Sequence, residues 1–525
     1  MDNFGIGSWL PRRRPKSGSK TALISGDREL SYKQFADRSA RLANALRDRG
    51  VGKGDRVAYL GENHPSFLET LFGCASLGAI FVPLNTRLAP PELRFQLQDS
   101  GAMALIHAGS LRELAARGAE GTAVARLIAV DDSIDGAEAD GGEPAALGAD
   151  GAAVEDFEEV LASGADQPID EPVTLDDGAM ILYTSGTTGR PKGALLTHGN
   201  ITWNCINVIV DFDFSSQDVA LMISPMFHVA SLDMGVLPTL LKGGTVILES
   251  KFDPSRILSL IEQHSVTTMS GVPTTYQLIC EHPAWATTDL SSLNKLTCGG
   301  SALPMRVLDA YESRGLQIGN GYGMTETAPG ATVLPTARCR DKAGSAGLPH
   351  FFTDVRIADP MAGIAAPGTV GEIQIKGPNV IREYWDRSDA TAESYADGGW
   401  FKSGDLAYKD EEGFVFIADR LKDMIISGGE NIYPAEVEQA ITELDAVGSV
   451  AVIGVPDEKW GEVPRAVILL REGARLTEEQ LRAHLEGRLA RYKIPKSVVF
   501  VAEMPRTASG KIRKAELRKL TSGAA

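Results

Sequence analysis

The string Tyr183-Thr-Ser-Gly-Thr-Thr-Gly-Arg-Pro-Lys-Gly193 stands directly behind an apolar run at 179–183. Gly186 and Gly189 let a backbone approach a ligand closely, Thr184, Ser185, Thr187 and Thr188 offer hydroxyls, and Lys192 adds a cation. Those are the requirements of a loop that wraps a polyphosphate. The GxxxxGK[ST] spacing is absent, so this is not a Walker-type loop. Further along lie four more groups that could do chemistry. His228 sits in Ser-Pro-Met-Phe-His-Val-Ala-Ser, Glu326 ends Asn320-Gly-Tyr-Gly-Met-Thr-Glu, Asp405 ends Trp400-Phe-Lys-Ser-Gly-Asp, and Lys511 ends Pro505-Arg-Thr-Ala-Ser-Gly-Lys. A carboxylate such as Glu326 suits Mg²⁺, which takes hard oxygen ligands and shares its shell with phosphates and water. A carboxylate such as Asp405 is a natural acceptor for a cis-diol. Each has a bland alternative. A lone histidine at a strand end is more often core, a single glutamate is more often surface, and a Gly-Lys beside a basic tail is more often solvated.

Taken in order along the chain, these strings resemble the signatures of the adenylate-forming enzymes: acyl-CoA synthetases, firefly-type luciferases and peptide-synthetase adenylation domains. The resemblance covers roughly residues 25–515 and changes the weighing of every group above. It implies an α/β fold, with a large N-terminal adenylation domain over 1–421 and a small mobile α/β domain over 422–525. It implies a phosphate loop at 184–189 with Lys192, and an adenine turn at Gly299, Gly300, Ser301 and Ala302. In the segment Asn320, Gly321, Tyr322, Gly323, Met324, Thr325 and Glu326 it implies that Tyr322 covers adenine, Thr325 meets the α-phosphate and Glu326 holds Mg²⁺. Asp405 would take the ribose hydroxyls and Arg420 would contact ribose and phosphate. Lys422 falls at the family's hinge. Gly428 and Gly429 would line a pantetheine tunnel, because glycines let a slender arm pass beside the backbone. Trp460 resembles an aromatic near the CoA nucleotide, although an interdomain packing role fits it equally. Lys511 matches the adenylation lysine, with Thr184 and His228 as further catalytic groups.

The implied activity is that of an AMP-forming acyl-CoA ligase using ATP, Mg²⁺ and coenzyme A, with a hydrophobic carboxylic acid as substrate. By the same resemblance the acyl pocket is lined near His228, Met234, Val272, Gly299, Met324 and Pro329. None of these is permanently cationic, which argues against a dicarboxylate and leaves fatty, aryl and polycyclic acids open. Asp419–Glu436 and Asn85–Glu92 look closest to fatty-acyl and related bacterial CoA ligases. A free-standing enzyme that loads a carrier protein is the nearest rival. A non-catalytic nucleotide-binding relative is the rival of another class, and the intact set Thr184, Lys192, Glu326, Asp405, Arg420 and Lys511 speaks against it.

The elements that must position these groups follow an α/β rhythm. Ser31 and Gln34 form a capping-box pattern, and Phe35, Leu42 and Leu46 share a helical face that ends near Gly50. Arg56–Leu60 and Ala79–Val82 read as strands around a helix. Apolar runs at 219–223, 245–248 and 266–269 continue the pattern. Residues 109–176, rich in Ala, Gly, Asp and Glu, read as a solvated surface excursion. From about residue 370 the texture turns β-rich, and a final unit opens with a helix at Pro434 followed by strands at 449–455 and 465–470.

The 525 residues exceed one ordinary core. An apolar fraction of 43% and a charged fraction of 23% are those of a globular protein. A formal charge of −17 disfavours nucleic acid and means that a polyanionic ligand needs local cations. The five cysteines are scattered with no CxxC, and the N-terminus lacks an apolar signal core, so a reducing, cytoplasmic setting is expected. No run is long enough to span a bilayer. Arg12-Arg13-Arg14 could touch a membrane surface, with an ordinary solvated face as the plain alternative. Monomer and homodimer are both compatible with the sequence.

Overall fold

In the computed structural model, residues 2–132, 154–184, 191–300, 303–359, 363–420, 423–427, 430–457, 460–486, 488–507 and 510–521 are described. Local rules explain the first elements. Both halves of the Ser31/Gln34 capping box form and open the helix Tyr32–Asp48. Pro65 takes the first position of the helix Pro65–Leu77, and Gly78 ends it in the left-handed region. That helix joins the parallel strands Arg56–Leu60 and Ile80–Leu84.

Two large sheets carry the N-terminal part. One runs Leu348–Pro349, Gly330–Val333, Ile318–Gly323, Lys295–Gly299, Thr268–Gly271, Val219–Met222, Thr245–Leu248, Thr21–Ser25, Arg28–Ser31. Its middle is parallel: Val219–Met222, Thr268–Gly271, Lys295–Gly299 and Ile318–Gly323 lie side by side, all pointing the same way. The second sheet runs Glu383–Tyr384, Lys192–Thr197, Gly178–Thr184, Ile80–Leu84, Arg56–Leu60, Ala104–Ala108, Arg126–Val130, Val154–Asp156. Helices Tyr32–Asp48, Pro65–Leu77 and His198–Phe212 contribute to one large core shared by both sheets. An antiparallel sheet built on Asp354–Asp359, Gly371–Lys376, Trp400–Lys409 and Val415–Arg420 follows. The C-terminal part has its own sheet and its own core, around Ile425, Val437, Ile441, Val452 and Ile468.

The expectation for residues 109–176 needs correcting. Arg126–Val130 is an inner strand of the second sheet, paired in parallel with Ala104–Ala108. Phe157, Val160 and Leu161 are core residues. The Ala- and Gly-rich composition hid this strand, because a short apolar run carries little periodicity of its own. Residues 133–153 of that span lie outside the described residues. All five cysteines are free thiols. Arg12 donates to the Ser8 hydroxyl, Arg13 donates to the Leu241 carbonyl and Arg14 pairs with Asp37, so all three basic N-terminal side chains are engaged within the protein.

Candidate active site

Parallel strands deliver their carboxyl ends to one edge of a sheet, where ligands of α/β proteins collect. Here four neighbouring strands deliver four of the sequence segments to that edge. His228 follows Val219–Met222, Val272 follows Thr268–Gly271, Gly299 and Gly300 end and follow Lys295–Gly299, and Met324–Glu326 follows Ile318–Gly323. From the second sheet, Thr184 ends the strand Gly178–Thr184 and pairs across the hairpin with Lys192. Ser185, Gly186, Thr187, Thr188 and Gly189, between these two, lie outside the described residues, as do Ser301 and Ala302.

Glu326 sits in the one-turn helix Thr325–Thr327 and is only 6% exposed. Its Oε1 accepts a hydrogen bond from the Tyr384 hydroxyl at 2.8 Å. The Lys192 ammonium stands 5.2 Å from the centroid of the same tyrosine ring, a cation–π distance. Burial, reinforced by the adjacent Glu326, pushes the Tyr384 phenol far above its usual range, so it remains a neutral donor. Tyr384 therefore joins the phosphate-loop cation to the acidic group expected to hold metal. Sequence reasoning missed it. The signal available was slight, an aromatic pair Tyr384-Trp385 close behind the apolar Val380-Ile381.

Among the groups expected to hold the nucleoside, the Tyr322 hydroxyl donates to Asp405 Oδ2 at 2.6 Å, and Asp405 is held near its strand partner Arg420 by the ladder. The Asn320 amide donates to the Ser345 carbonyl at 3.1 Å. Gly300 has φ +84, which favours glycine, and a β-carbon there would lie 3.4 Å from Lys511 Cε. A β-carbon on Gly510 would likewise lie 3.4 Å from a Val272 methyl. The lysine of the C-terminal part thus stands at the turn after Lys295–Gly299, beside the nucleotide-side residues. Thr507 supports it by accepting from the Lys511 backbone N–H at 3.1 Å. A second cross-contact pairs Arg471 with Glu281 at 3.5 Å.

His228 begins the helical run that continues through Leu232–Val236. Its Nε2 is buried and has no hydrogen-bond partner among the described residues. Burial first, then the nearby Lys511 and Arg87 cations, lower its pKa to about 4. The ring is therefore neutral at physiological pH. Arg87 was not foreseen as a neighbour of this site. Beyond His228, Ala230 is exposed while Val229 and Ser231–Asp233 are buried, so it faces open space. Met234, four residues on, is half-buried within the π-helical turn Leu232–Val236. Ala230 is an exposed residue two positions from His228 that sequence reasoning did not name. Pro329 is buried, and its carbonyl accepts from the Met324 N–H at 3.0 Å.

Leu421 and Lys422 lie outside the described residues, as do Gly428 and Gly429. Trp460 is 44% exposed near the turn into Gly461–Leu470. Among the described residues no group of three or more His, Cys, Asp or Glu could hold a metal, and no helix is long and apolar enough to cross a membrane.

With that geometry in view, known proteins are informative. Residues 10–385 match the AMP-binding enzyme family, and residues 436–511 match the AMP-binding enzyme C-terminal domain. A feruloyl-CoA synthase from an Amycolatopsis species is 52% identical over 519 residues, 99% of each chain. An indoleacetate–CoA ligase from Aromatoleum aromaticum is 40% identical over 518 residues, 98% of each chain. The solved structure of ATP-bound MatB from Rhodopseudomonas palustris superimposes with a TM-score of 0.88 at 31% identity, covering all of both chains.

Proposed function

The chain belongs to the AMP-binding enzyme family and is an AMP-forming acid–CoA ligase, and on that premise we propose that its acid is aromatic, with ferulate the leading example. ATP and coenzyme A are its other substrates. The observation that carries the proposal is the 52% identity, over 99% of both chains, to a feruloyl-CoA synthase. The pocket supports it. The cations near His228, Lys511 and Arg87, stand at the carboxylate end, while Ala230 and Met234 give the far wall an apolar surface.

The chemistry follows from charge. A carboxylate approaching the α-phosphate of ATP meets like charge, at 4 Å a repulsion of about 4 kcal/mol for an effective dielectric near 20. Lys192 from the phosphate-loop hairpin and Lys511 from the C-terminal part offset that charge where it develops. Asp405 and Tyr322 hold ribose and adenine, and Thr184 and Thr325 offer hydroxyls to the phosphates. The buried, anchored Glu326 carboxylate fits Mg²⁺, which needs one or two carboxylates when phosphates and water complete its shell. When bound there, Mg²⁺ would neutralise charge on the triphosphate. Neutral His228, with an unpartnered buried Nε2, can donate or accept one hydrogen bond beside the acyl carboxylate without adding charge. The orientation seen here, with Lys511 at Gly300, suits adenylation. For thioester formation we place a rotation near Lys422 that withdraws Lys511 and presents Gly428, Gly429 and Trp460 to the pantetheine arm and nucleotide of CoA.

A panel of acids tests the substrate. Pyrophosphate release should give ferulate and related cinnamic acids a higher kcat/KM than indoleacetate, long-chain fatty acids or malonate. A long-chain fatty acid at the head of that order would overturn the proposal.

A further inference from the structure

We infer that the segment Gly377–Tyr384 is a strut that fixes the Glu326 carboxylate for its metal, with Tyr384 and Asn379 as the positioning residues. The inference rests on the reading of Glu326 as the Mg²⁺ ligand.

Three successive attachments run from this short segment to the Glu326 loop. The Tyr384 hydroxyl donates to Glu326 Oε1. The Ile381 N–H donates to the Glu326 backbone carbonyl at 2.9 Å. The Asn379 side-chain amide donates to both the Thr327 and Gly330 carbonyls, each at 2.7 Å. Side chain, own backbone and following backbone of the metal-binding residue are therefore all held by one stretch of eight residues.

The strut is itself anchored at both ends. Asn379 is fully buried, and its Oδ1 accepts from the Thr353 hydroxyl at 2.8 Å. That hydroxyl accepts in turn from the Asn207 amide at 3.0 Å. With its oxygen committed to Thr353, the Asn379 amide must turn its two N–H groups to the loop. Asn200 donates to the Pro378 and Val380 carbonyls at 2.9 and 2.8 Å. At the other end, Tyr384 pairs with Ala194 beside the phosphate-loop hairpin, and the Trp385 N–H donates to the Gly193 carbonyl at 2.7 Å. Asn200 and Asn207 both lie on the helix His198–Phe212, which belongs to the main core.

Mg²⁺ demands near-ideal octahedral geometry at short distance, and a carboxylate on a one-turn helix has several rotamers. A phenol fixed to one carboxylate oxygen selects among them, and the Asn379 clip keeps the turn itself from shifting. The same tyrosine meets Lys192 on its ring and Glu326 at its hydroxyl.

The test is a Mg²⁺ titration of ATP–pyrophosphate exchange for the full chain and for Tyr384→Phe, Asn379→Ala and Glu326→Gln. Thermal unfolding and thioester formation from supplied acyl-AMP are followed in parallel. Tyr384→Phe keeps the ring under Lys192 and should fold normally, yet its Mg²⁺ requirement should rise about tenfold, as when a partner that orients a metal ligand is lost. Asn379→Ala should shift in the same direction. Thr353→Ser should behave as wild type, since it keeps the hydroxyl that orients Asn379, whereas Thr353→Val should not. Thioester formation from acyl-AMP should be unchanged in Tyr384→Phe. If Glu326→Gln shifts the Mg²⁺ requirement and Tyr384→Phe does not, the strut is overturned and the metal role of Glu326 stands. If Glu326→Gln leaves it unmoved, the metal reading fails and the strut fails with it.

Discussion

The two walls proposed for the site are built on opposite terms. On the nucleotide wall the polar groups are fastened: Glu326 by Tyr384, Asp405 by Tyr322, and the intervening loop by Asn379. On the acid wall the one polar ring, His228, has a buried nitrogen with no partner among the described residues, and its neighbours Ala230 and Met234 are apolar. A triphosphate is the same in every turnover, so its contacts reward rigid, pre-oriented donors and acceptors. An apolar acid is selected mainly by the volume left for it, and a hydrophobic pocket discriminates weakly for each group added or removed. The difference teaches where specificity should change and where activity should collapse.

The largest effect should come from the nucleotide wall. Lys511→Ala should lower adenylation by about 10²–10³, the usual cost of one aligned transition-state donor, while supplied acyl-AMP and CoA still give thioester. Equal loss of both half-reactions in a folded variant would remove Lys511 from its assigned step. Next, Lys422→Pro fixes φ at the proposed hinge. Adenylation should persist and thioester formation should be largely lost, because Lys511 already stands at Gly300 in the observed orientation. Retained thioester formation would place the hinge elsewhere.

A smaller, more selective effect belongs to the acid wall. Ala230→Trp adds bulk at the exposed position proposed to meet the acid and should lower kcat/KM for ferulate about tenfold, within the 1–3 kcal/mol of overpacking. The KM for ATP should not move. An equal loss for acetate and ferulate would show that Ala230 does not shape the aromatic site.

The nucleotide wall was legible in the sequence because its strings combine glycines, hydroxyls and charges that few other settings require. Glu326, Asp405 and Lys511 were picked out in this way; Glu326 follows a parallel strand of the large sheet, whereas Asp405 lies within an antiparallel strand and Lys511 on the C-terminal part. Tyr384 and Asn379 were not legible. They act through hydrogen bonds between segments more than 45 residues apart in the sequence, from |i−j| of 58, 52 and 49, and no local pattern marks such partners. The acid wall was legible only in outline. Met234 was named, but Ala230 is conspicuous only for exposure within an otherwise buried helix. The strand Arg126–Val130 was lost for a similar reason, since its hydrophobic character is explained by its partner Ala104–Ala108 rather than by its own period.

The smallest expected effect is on the pH dependence. Burial is the leading cause that holds His64, His198 and His228 near pKa 4, below the ordinary 6.5. Their folded values lie below the unfolded one, so the stability they contribute is full above pH 6.5 and is lost as the pH falls through 4. Urea midpoints should decline across that window, and the adenylation rate should show no histidine limb near pH 6.5. A constant midpoint from pH 7 to about 4 would contradict the neutral buried state of these rings.

The most direct test of the whole account follows an oxygen atom. Ferulate carrying heavy oxygen in its carboxylate is incubated with ATP, Mg²⁺, CoA and the enzyme, and the products are weighed by mass spectrometry. Passage through an acyl-adenylate transfers one carboxylate oxygen to the phosphate, so AMP should carry one heavy oxygen and feruloyl-CoA should retain the other. Unlabelled AMP, ADP in its place, or no feruloyl-CoA at all would contradict it.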